Sequence, residues 1–482
     1  MSKFNQTNSN KTVNEEGHVA YKMADKELLM TQVLTTFFNE SKFYGDNSNK
    51  IIENATKLIN NDEGKFVANL ARYTRKEMHL RSVSHVLTCI IANNPKTKLY
   101  TRIVVNDVVE RVDDITEILS CYLDMFGKPI PNALKKALGD AMNRFDAYQM
   151  KKYSGGNKSV KLKDVLKLTH AKPKDEKQEL VFNQIINDTL PQIQTWETEL
   201  SKNGNNEQSW ETLIENNKLG YMAMLRNLRN IINAEPKNID KVYEKLANKD
   251  EVLHSKQLPF RFFSAYKELE KVAKAGTKVF DTLETAIEYS TENMQKLKGT
   301  TVIAIDVSGS MSNTISREST IRCCDLSALL GVLASRICDN AIVYTFDWNL
   351  YKKNISTRDG ILSTTKKISA AGGGTNLALP IQKMIKENIK ADRLIILSDN
   401  EINSRWYGGY TRTCQSLADQ YRNQIYEDLW VHAIDLQGYG TQQFIGKNTN
   451  IIAGWSEKVL DFIELAESDR SKQVEMIENY GD

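Results

Sequence analysis

Apolar residues recur at three- and four-residue spacing through most of the first 292 residues. Two such series are Phe66, Leu70 and Tyr73, and then Leu162, Val165, Leu166 and Thr169. This spacing places the apolar side chains on one face of an α-helix. Turn signals such as Gly155-Gly156 separate the helical segments, and no run typical of a strand interrupts them. The pattern predicts successive helical hairpins, consistent with a degenerate α-solenoid, over residues 23–292. The polar residues 1–22 are expected to form an N-terminal arm.

The pattern changes after Gly299, where short β-branched runs begin to alternate with helical ones. The predicted strands are 301–305, 341–346, 394–397, 430–434 and 450–452. The predicted helices are 321–338, 379–388, 413–428 and 457–467. Buried strands that alternate with helices indicate βαβ units and a mostly parallel sheet covered on both faces. Residues 293–482 are therefore predicted to form an α/β doubly wound domain with five or six strands.

Composition excludes several classes of protein. The 482 residues include 64 Lys or Arg and 61 Asp or Glu, a net charge of +3, so any nucleic-acid surface must be local. No apolar run approaches the roughly 18 residues of a membrane span. The first 20 residues lack an apolar signal segment, so we expect a cytoplasmic protein. The six cysteines show no C-x-x-C spacing, which argues against a disulfide framework or a zinc ribbon.

Oxygen-bearing side chains follow the predicted strands. Asp306, Ser308 and Ser310 come after the first strand, and Asp399 comes after the strand 394–397. Between them, Thr375 ends a glycine-rich loop just before a predicted helix. In open α/β sheets the carboxyl ends of the strands form the ligand-binding edge. Carboxylates and hydroxyls are the ligands of a hard cation, and Mg²⁺ is the expected ion. Alternatively, Asp306 caps a turn and the serines satisfy backbone groups.

The same five residues resemble a known site. Asp306-x-Ser308-x-Ser310, then Thr375, then Asp399 is similar to the metal-ion-dependent adhesion site (MIDAS) of von Willebrand factor A domains. The surrounding residues 304–311, 373–380 and 398–401 resemble one subfamily, the Ro autoantigen or TROVE family. That resemblance implies a HEAT-like helical repeat ring, closed by the α/β domain.

Short blocks in the helical half resemble the same family. They are residues 12–17 with 20–21, residues 152–153 with 163–173, and residues 225–228. Residues 135–175 also carry a net charge of +7, while residues 456–482 carry −5. A basic segment neutralises phosphates and binds nucleic acid in a salt-dependent manner. The alternative is a solvated helix face. From the charge and the resemblance together, the candidate RNA-binding residues are Lys152, Lys158, Lys161, Lys167, His170 and Arg226.

The resemblance implies a non-catalytic ribonucleoprotein component, acting as a monomeric ring. Its expected partners are small noncoding Y-type RNA and the single-stranded ends of misfolded RNA, with an exoribonuclease in RNA quality control. A first rival is a metal-dependent protein–protein adaptor with a helical scaffold. A second is a phosphatase-like hydrolase that uses the aspartates. The chain contains no P-loop, no G-x-S-x-G nucleophile motif and no H-E-x-x-H zinc motif.

Overall fold

A computed structural model gives the fold of the chain. It describes residues 11–13, 19–34, 46–154, 159–193, 195–315, 319–356, 358–369, 372–399, 413–437, 441–453, 458–469 and 473–481. These residues form two compact units, one of residues 25–194 with 474–482, the other of residues 1–24 with 195–473. In the described part of the chain, no helix is both long and apolar enough to cross a membrane.

Packing of helices against one another builds the first unit. Its helices are α1 Asp25–Leu34, α2 Asp46–Asn60, α3 Gly64–Lys76, α4 Ser82–Asn93, α5 Thr101–Val108, α6 Val112–Phe126, α7 Asn132–Met142, α8 Ala147–Tyr153, α9 Leu162–Thr169 and α10 Glu176–Ile186. The apolar spacing explains which face of each helix is buried. Phe66, Leu70 and Tyr73 of α3 are buried. In α9 the buried residues are the four that the spacing predicts, Leu162, Val165, Leu166 and Thr169.

Eight further helices belong to the second unit. They are α11 Trp196–Asn203, α12 Glu207–Glu215, α13 Tyr221–Arg226, α14 Leu228–Ala234, α15 Ile239–Leu246, α16 Lys249–Ser255, α17 Pro259–Leu269 and α18 Thr277–Ser290. They pack in the same unit as the α/β layer, so the compact units do not follow the predicted domain limits. Glu284 of α18 fixes this packing, because its carboxylate accepts hydrogen bonds from the backbone N–H groups of Leu362 and Ser363 at 2.8 and 3.1 Å.

A six-stranded, mostly parallel sheet forms the centre of the second unit. Its strands and helices are β3 Leu297–Asp306, α19 Cys323–Ile337, β4 Cys338–Phe346, β5 Leu350–Lys353, α20 Ile361–Ile368, α21 Ala378–Lys386, β6 Arg393–Ser398, α22 Cys414–Gln424, β7 Trp430–Asp435, β9 Thr449–Ala453 and α23 Lys458–Asp469. The strand order is β5-β4-β3-β6-β7-β9, and only β5 runs antiparallel to its neighbour. The predicted fold class, helical repeats with a doubly wound sheet, is confirmed.

Both faces of the sheet are covered by helices. One face packs Ala304, Phe346 and Ile396 against α21 and α22. On the other side α19 approaches closely, because a Cβ at Gly331 would overlap the side chain of Ile305. At the amino-terminal end of β6, the guanidinium of Arg393 donates to Glu467 of α23 at 2.6 and 2.7 Å. These contacts join the helices to the central strands β3 and β6.

Described residues near both ends of the chain also form secondary structure. Within the polar arm, β1 Lys11–Val13 and β2 Val19–Lys22 pair with each other, and β2 pairs with β8 Thr441–Gln442 in an antiparallel sheet. The last helix, α24 Gln473–Glu478, leads to a tail on α3. There the hydroxyl of Tyr480 donates to Glu77 at 2.9 Å, and Arg72 donates to the carbonyl of Tyr480 at 3.2 Å.

Candidate functional site

Asp306 is the last residue of the buried strand β3 and is fully enclosed. The backbone N–H of Ser308 donates to its Oδ1 at 2.8 Å. The hydroxyl of Ser398, the last residue of the neighbouring strand β6, donates to its Oδ2 at 2.5 Å. The carboxylate is therefore fixed by the loop after β3 and by the end of β6, which leaves little freedom in its orientation.

The loop after β3 brings two hydroxyls together. The Oγ atoms of Ser308 and Ser310 lie 3.2 Å apart. The backbone of this loop binds the glycine-rich loop, since Gly309 donates to the carbonyl of Gly373 and Gly372 donates to the carbonyl of Val307, each at 2.9 Å. A Cβ at Gly309 would lie 3.1 Å from the carbonyl oxygen of Gly373, so the close approach favours glycine.

The remaining two predicted ligands lie at the same edge of the sheet. Thr375 is buried and directly follows the glycine-rich loop that binds residues 307–309. Asp399 is buried and directly follows β6, which pairs with β3 through Ile305 and Leu397. The structure therefore places Asp306 and Asp399 at the carboxyl ends of the paired strands β3 and β6, Ser308 and Ser310 in the loop after β3, and Thr375 next to the glycine-rich loop that this loop binds. That these five residues bind a metal stays a prediction.

Two carboxylates at this edge, those of Asp306 and Asp399, are buried away from solvent. Burial, together with the nearby charge of Asp399, raises the pKa of Asp306 to about 7. Among the described residues, no cationic side chain forms an ion pair with Asp306. A divalent cation would offset the repulsion between the two carboxylates. The donor set contains only carboxylate and hydroxyl oxygens, so it fits Mg²⁺ better than a soft metal.

Five of the six predicted RNA-binding residues lie on or beside the helices α8, α9 and α13. Lys152 lies on α8, Lys161 immediately precedes α9, Lys167 lies in its last turn, and all three are exposed. His170 is also exposed and ends α9 in the left-handed conformation, with φ 52°. Arg226, the last residue of α13, is exposed too, but it belongs to the other compact unit. The sixth candidate, Lys158, lies outside the described residues.

Salt bridges distinguish these lysines from the neighbouring Lys163. Within the described residues, Lys152, Lys161 and Lys167 have no ion-pair partner, whereas Lys163 pairs with Asp188 at 3.1 Å. The ammonium of Lys152 lies 5.8 Å from the ring centroid of Tyr153. Ammonium groups without acidic partners can neutralise phosphates without first breaking a salt bridge.

We call Asp306, Ser308, Ser310, Thr375 and Asp399 the metal edge, after the ion predicted to bind there. One aromatic residue beside it is missing from the sequence predictions. Trp348 lies in the turn between β4 and β5, and its indole covers the glycine-rich loop, although 40% of the residue stays exposed. A Cβ at Gly374 would overlap that ring. The sequence signal is the aromatic-lysine segment from Trp348 to Lys353, but no run of strand length identifies β5 beforehand.

The fold and these sites define a class of protein, in which helical repeats are joined to a von Willebrand factor A-type domain. A sequence model of the TROVE domain matches residues 8–189 and 189–308. The model of the Ro60 vWA domain matches residues 300–436. Because the TROVE match covers more than half of the chain, the protein belongs to the TROVE family.

The chain is also similar in sequence to two named proteins. The chain is 26% identical over 222 residues to the RNA-binding protein RO60 of Deinococcus radiodurans, which covers 43% of this chain and 41% of that protein. It is 23% identical over 295 residues to telomerase protein component 1 of Rattus norvegicus, across 44% of this chain and 11% of that protein. The chain therefore matches less than half the length of either relative.

A solved structure shows a similar fold. The crystal structure of the Deinococcus radiodurans RO (RSR) protein matches 93% of this chain and all of that one, with a TM-score of 0.65 at 14% identity.

Proposed function

We propose that this protein is an RNA-binding component of a ribonucleoprotein. It binds small noncoding RNA of the Y type and the single-stranded ends of misfolded structured RNA. Membership of the TROVE family is the observation that carries the proposal, and a relative in that family is named as an RNA-binding protein. The exposed lysines of α8 and α9 supply cations for the phosphates. Further parts of the proposal are a closed helical ring, a cytoplasmic location and cooperation with an exoribonuclease.

Tyrosines among these lysines give single-stranded RNA a second kind of contact. Tyr148 of α8 is 51% exposed. The guanidinium carbon of Arg111 lies 4.7 Å from the ring centroid of Tyr153, and the ammonium of Lys152 also faces that ring. Unstacked bases bind to aromatic and guanidinium planes, while lysines bind the backbone. The segment therefore suits RNA with unpaired nucleotides better than a fully paired duplex.

The α/β domain is proposed to hold Mg²⁺ through Asp306, Ser308, Ser310, Thr375 and Asp399. The two aspartates supply charge, directly or through water, and the hydroxyls of the other three complete the oxygen donors. Bound Mg²⁺ would offer an open coordination position to an acidic group of a partner. This property supports a second candidate function, a metal-dependent protein adaptor, for which the buried carboxylates are the specific observation.

Purification without nuclease treatment tests the proposal. We expect the protein to carry RNA, seen as a raised ratio of absorbance at 260 and 280 nm, and sequencing should reveal small structured transcripts. An adaptor would instead purify free of nucleic acid and capture a protein only when Mg²⁺ is present. A protein that carries no RNA and binds none at low salt would contradict the proposed function.

A further inference from the structure

The hairpin beside the glycine-rich loop exposes two aromatic rings and one lysine, and a second lysine there is partly buried. Trp348 is 40% exposed in its turn, and Tyr351 is 46% exposed in β5. Lys352 is exposed, and the ammonium of Lys353 lies 5.8 Å from the ring centroid of Tyr351. Asp347 is the only acidic residue from 347 to 353, and its carboxylate accepts a hydrogen bond from the backbone of Asn349 at 2.7 Å. We call Trp348, Tyr351, Lys352 and Lys353 the aromatic edge.

The indole of Trp348 is held in place. It packs on Gly373 and Gly374, where any larger residue would displace it. The backbone N–H of Asn376 also donates to the carbonyl of Asp347 at 3.1 Å, which joins the turn to the same loop. A ring fixed before binding loses little conformational entropy when a planar group stacks on it.

The position of β5 in the sheet makes the aromatic edge accessible. This strand is the last in the sheet order, so one of its sides has no neighbouring strand among the described residues. Lysines on an edge strand are a common protection against strand pairing. That explanation covers Lys352 and Lys353, but it does not require an exposed indole and an exposed phenol three residues apart.

We infer that the aromatic edge binds a short segment of single-stranded RNA. Bases stack on Trp348 and Tyr351, while Lys352 and Lys353 neutralise phosphates. Stacking platforms with adjacent cations bind single strands with little sequence preference, because every base has a π face. An acidic peptide would use the lysines but would gain little from two separate aromatic faces. The inference rests on the proposed function and adds a second RNA contact, on the α/β domain.

Photo-crosslinking of the full-length protein tests the inference directly. The probe is an unstructured RNA oligonucleotide that contains 5-bromouridine, and the crosslinked peptides are mapped by mass spectrometry. We expect a crosslink at Trp348 or Tyr351. Binding of the same oligonucleotide should weaken about tenfold in Trp348→Ala, the size typical of one lost stack. Trp348→Phe should retain most of the affinity, because a phenyl ring still stacks.

Two further variants guard against a folding defect. Tyr351→Ala and Lys352→Ala remove exposed side chains and should each weaken binding severalfold with unchanged circular dichroism. The matched control is Tyr243→Ala, because Tyr243 also lies under a lysine ammonium, that of Lys278 at 5.6 Å, but this lysine is paired with Asp240. The control should bind RNA as the wild type does.

The outcomes separate the two proposals. If the wild type binds RNA but shows no crosslink here and the four hairpin variants bind normally, the inference is wrong and the proposed function stands. If the wild type binds no RNA, both are wrong. If an oligoglutamate peptide binds in a Trp348-dependent manner and RNA does not, the edge is a peptide site and the inference is overturned.

Discussion

The metal edge and the basic segment differ in how their polar groups are held. At the metal edge, Asp306 is enclosed and accepts hydrogen bonds from the loop after β3 and from the end of β6. On α8 and α9, the candidate lysines extend into solvent without acidic partners among the described residues. A small ion requires donors fixed before it arrives, whereas a polyphosphate chain requires only positive charge within reach. One substitution at the metal edge should therefore remove most of the Mg²⁺ affinity. Each substitution in the basic segment should remove only part of the RNA affinity.

The largest expected effect is the loss of Mg²⁺ binding in Asp306→Asn. The amide keeps the size of the side chain but removes the charge that a divalent cation needs. Loss of a residue that only orients a ligand already costs about 10- to 100-fold in metal affinity, so loss of the ligand's charge should cost at least about 100-fold. Isothermal titration calorimetry with Mg²⁺ measures it. The matched control is Asp347→Asn at the same edge, where the carboxylate binds the backbone of its own turn. Equal affinities in all three proteins would exclude Asp306 as a ligand.

A smaller effect is expected from reversing two lysines of the basic segment. Lys152→Glu combined with Lys161→Glu should weaken RNA binding at least about tenfold at low salt and flatten its salt dependence, because fewer counterions are released. Filter binding across a salt series measures both quantities.

The matched control for this double variant reverses Lys241 and Lys274. These lysines are already paired with Glu215 and Glu235, at 2.8 and 2.6 Å, so their loss should change RNA affinity much less. If the two double variants weaken binding equally, total charge decides affinity and the basic segment has no special role.

Stability without metal should depend on pH through Asp306. Its folded-state pKa of about 7 exceeds the ordinary 3.8, so the folded protein holds the proton more tightly than the unfolded chain does. Stability should be greatest below about pH 4 for this group and should fall as pH rises through 7. In EDTA, we expect Tm to drop by about 2 °C or more between pH 5 and 8 as a result of Asp306.

Mg²⁺ should reduce this pH-dependent loss, and Asp306→Asn should abolish the Asp306 contribution in either condition. Differential scanning fluorimetry with and without Mg²⁺ measures it. A wild type and an Asp306→Asn variant with the same pH dependence in EDTA would show that Asp306 is not the group responsible.

The smallest effect is expected for Lys163→Ala. This lysine is in the basic segment, but it already pairs with Asp188 at an exposed position. Its removal should change RNA affinity less than about twofold and stability by less than about 0.5 kcal/mol, as for other exposed pairs. A loss as large as that of Lys161→Ala would mean that ion pairing does not decide which lysines contact RNA.

The sequence predicts the positions of Asp306 and Asp399 well because both residues lie at the ends of predictable strands, while their metal binding stays a prediction. Asp306 and Asp399 each follow a buried apolar run, and parallel strands bring such positions to one edge. It predicts α9 equally well, since four apolar residues at helical spacing define its buried face. By contrast β5 has only four residues, and β1 and β2 lie in polar sequence. Strands this short show too few alternating residues to be recognised, and the pairing of β2 with β8 joins residues more than 400 positions apart.

The contact between the β4–β5 hairpin and the glycine-rich loop also could not be predicted from local sequence. Trp348 and Gly374 are separated by 26 positions in sequence, yet the ring covers the loop. Neither residue predicts the other, because the contact arises only when β4 and β5 form a hairpin at the sheet edge. The grouping of α11 to α18 with the α/β layer likewise depends on tertiary contacts such as that of Glu284 with the start of α20.

The most direct test of RNA binding compares one RNA hairpin with and without a single-stranded 3′ tail. Affinities of the full-length protein are measured for both across a series of salt concentrations. The account predicts that the tailed hairpin binds more tightly at every salt concentration, and that both affinities fall steeply as salt rises. Equal affinity for the two RNAs, or an affinity that salt does not change, would contradict it.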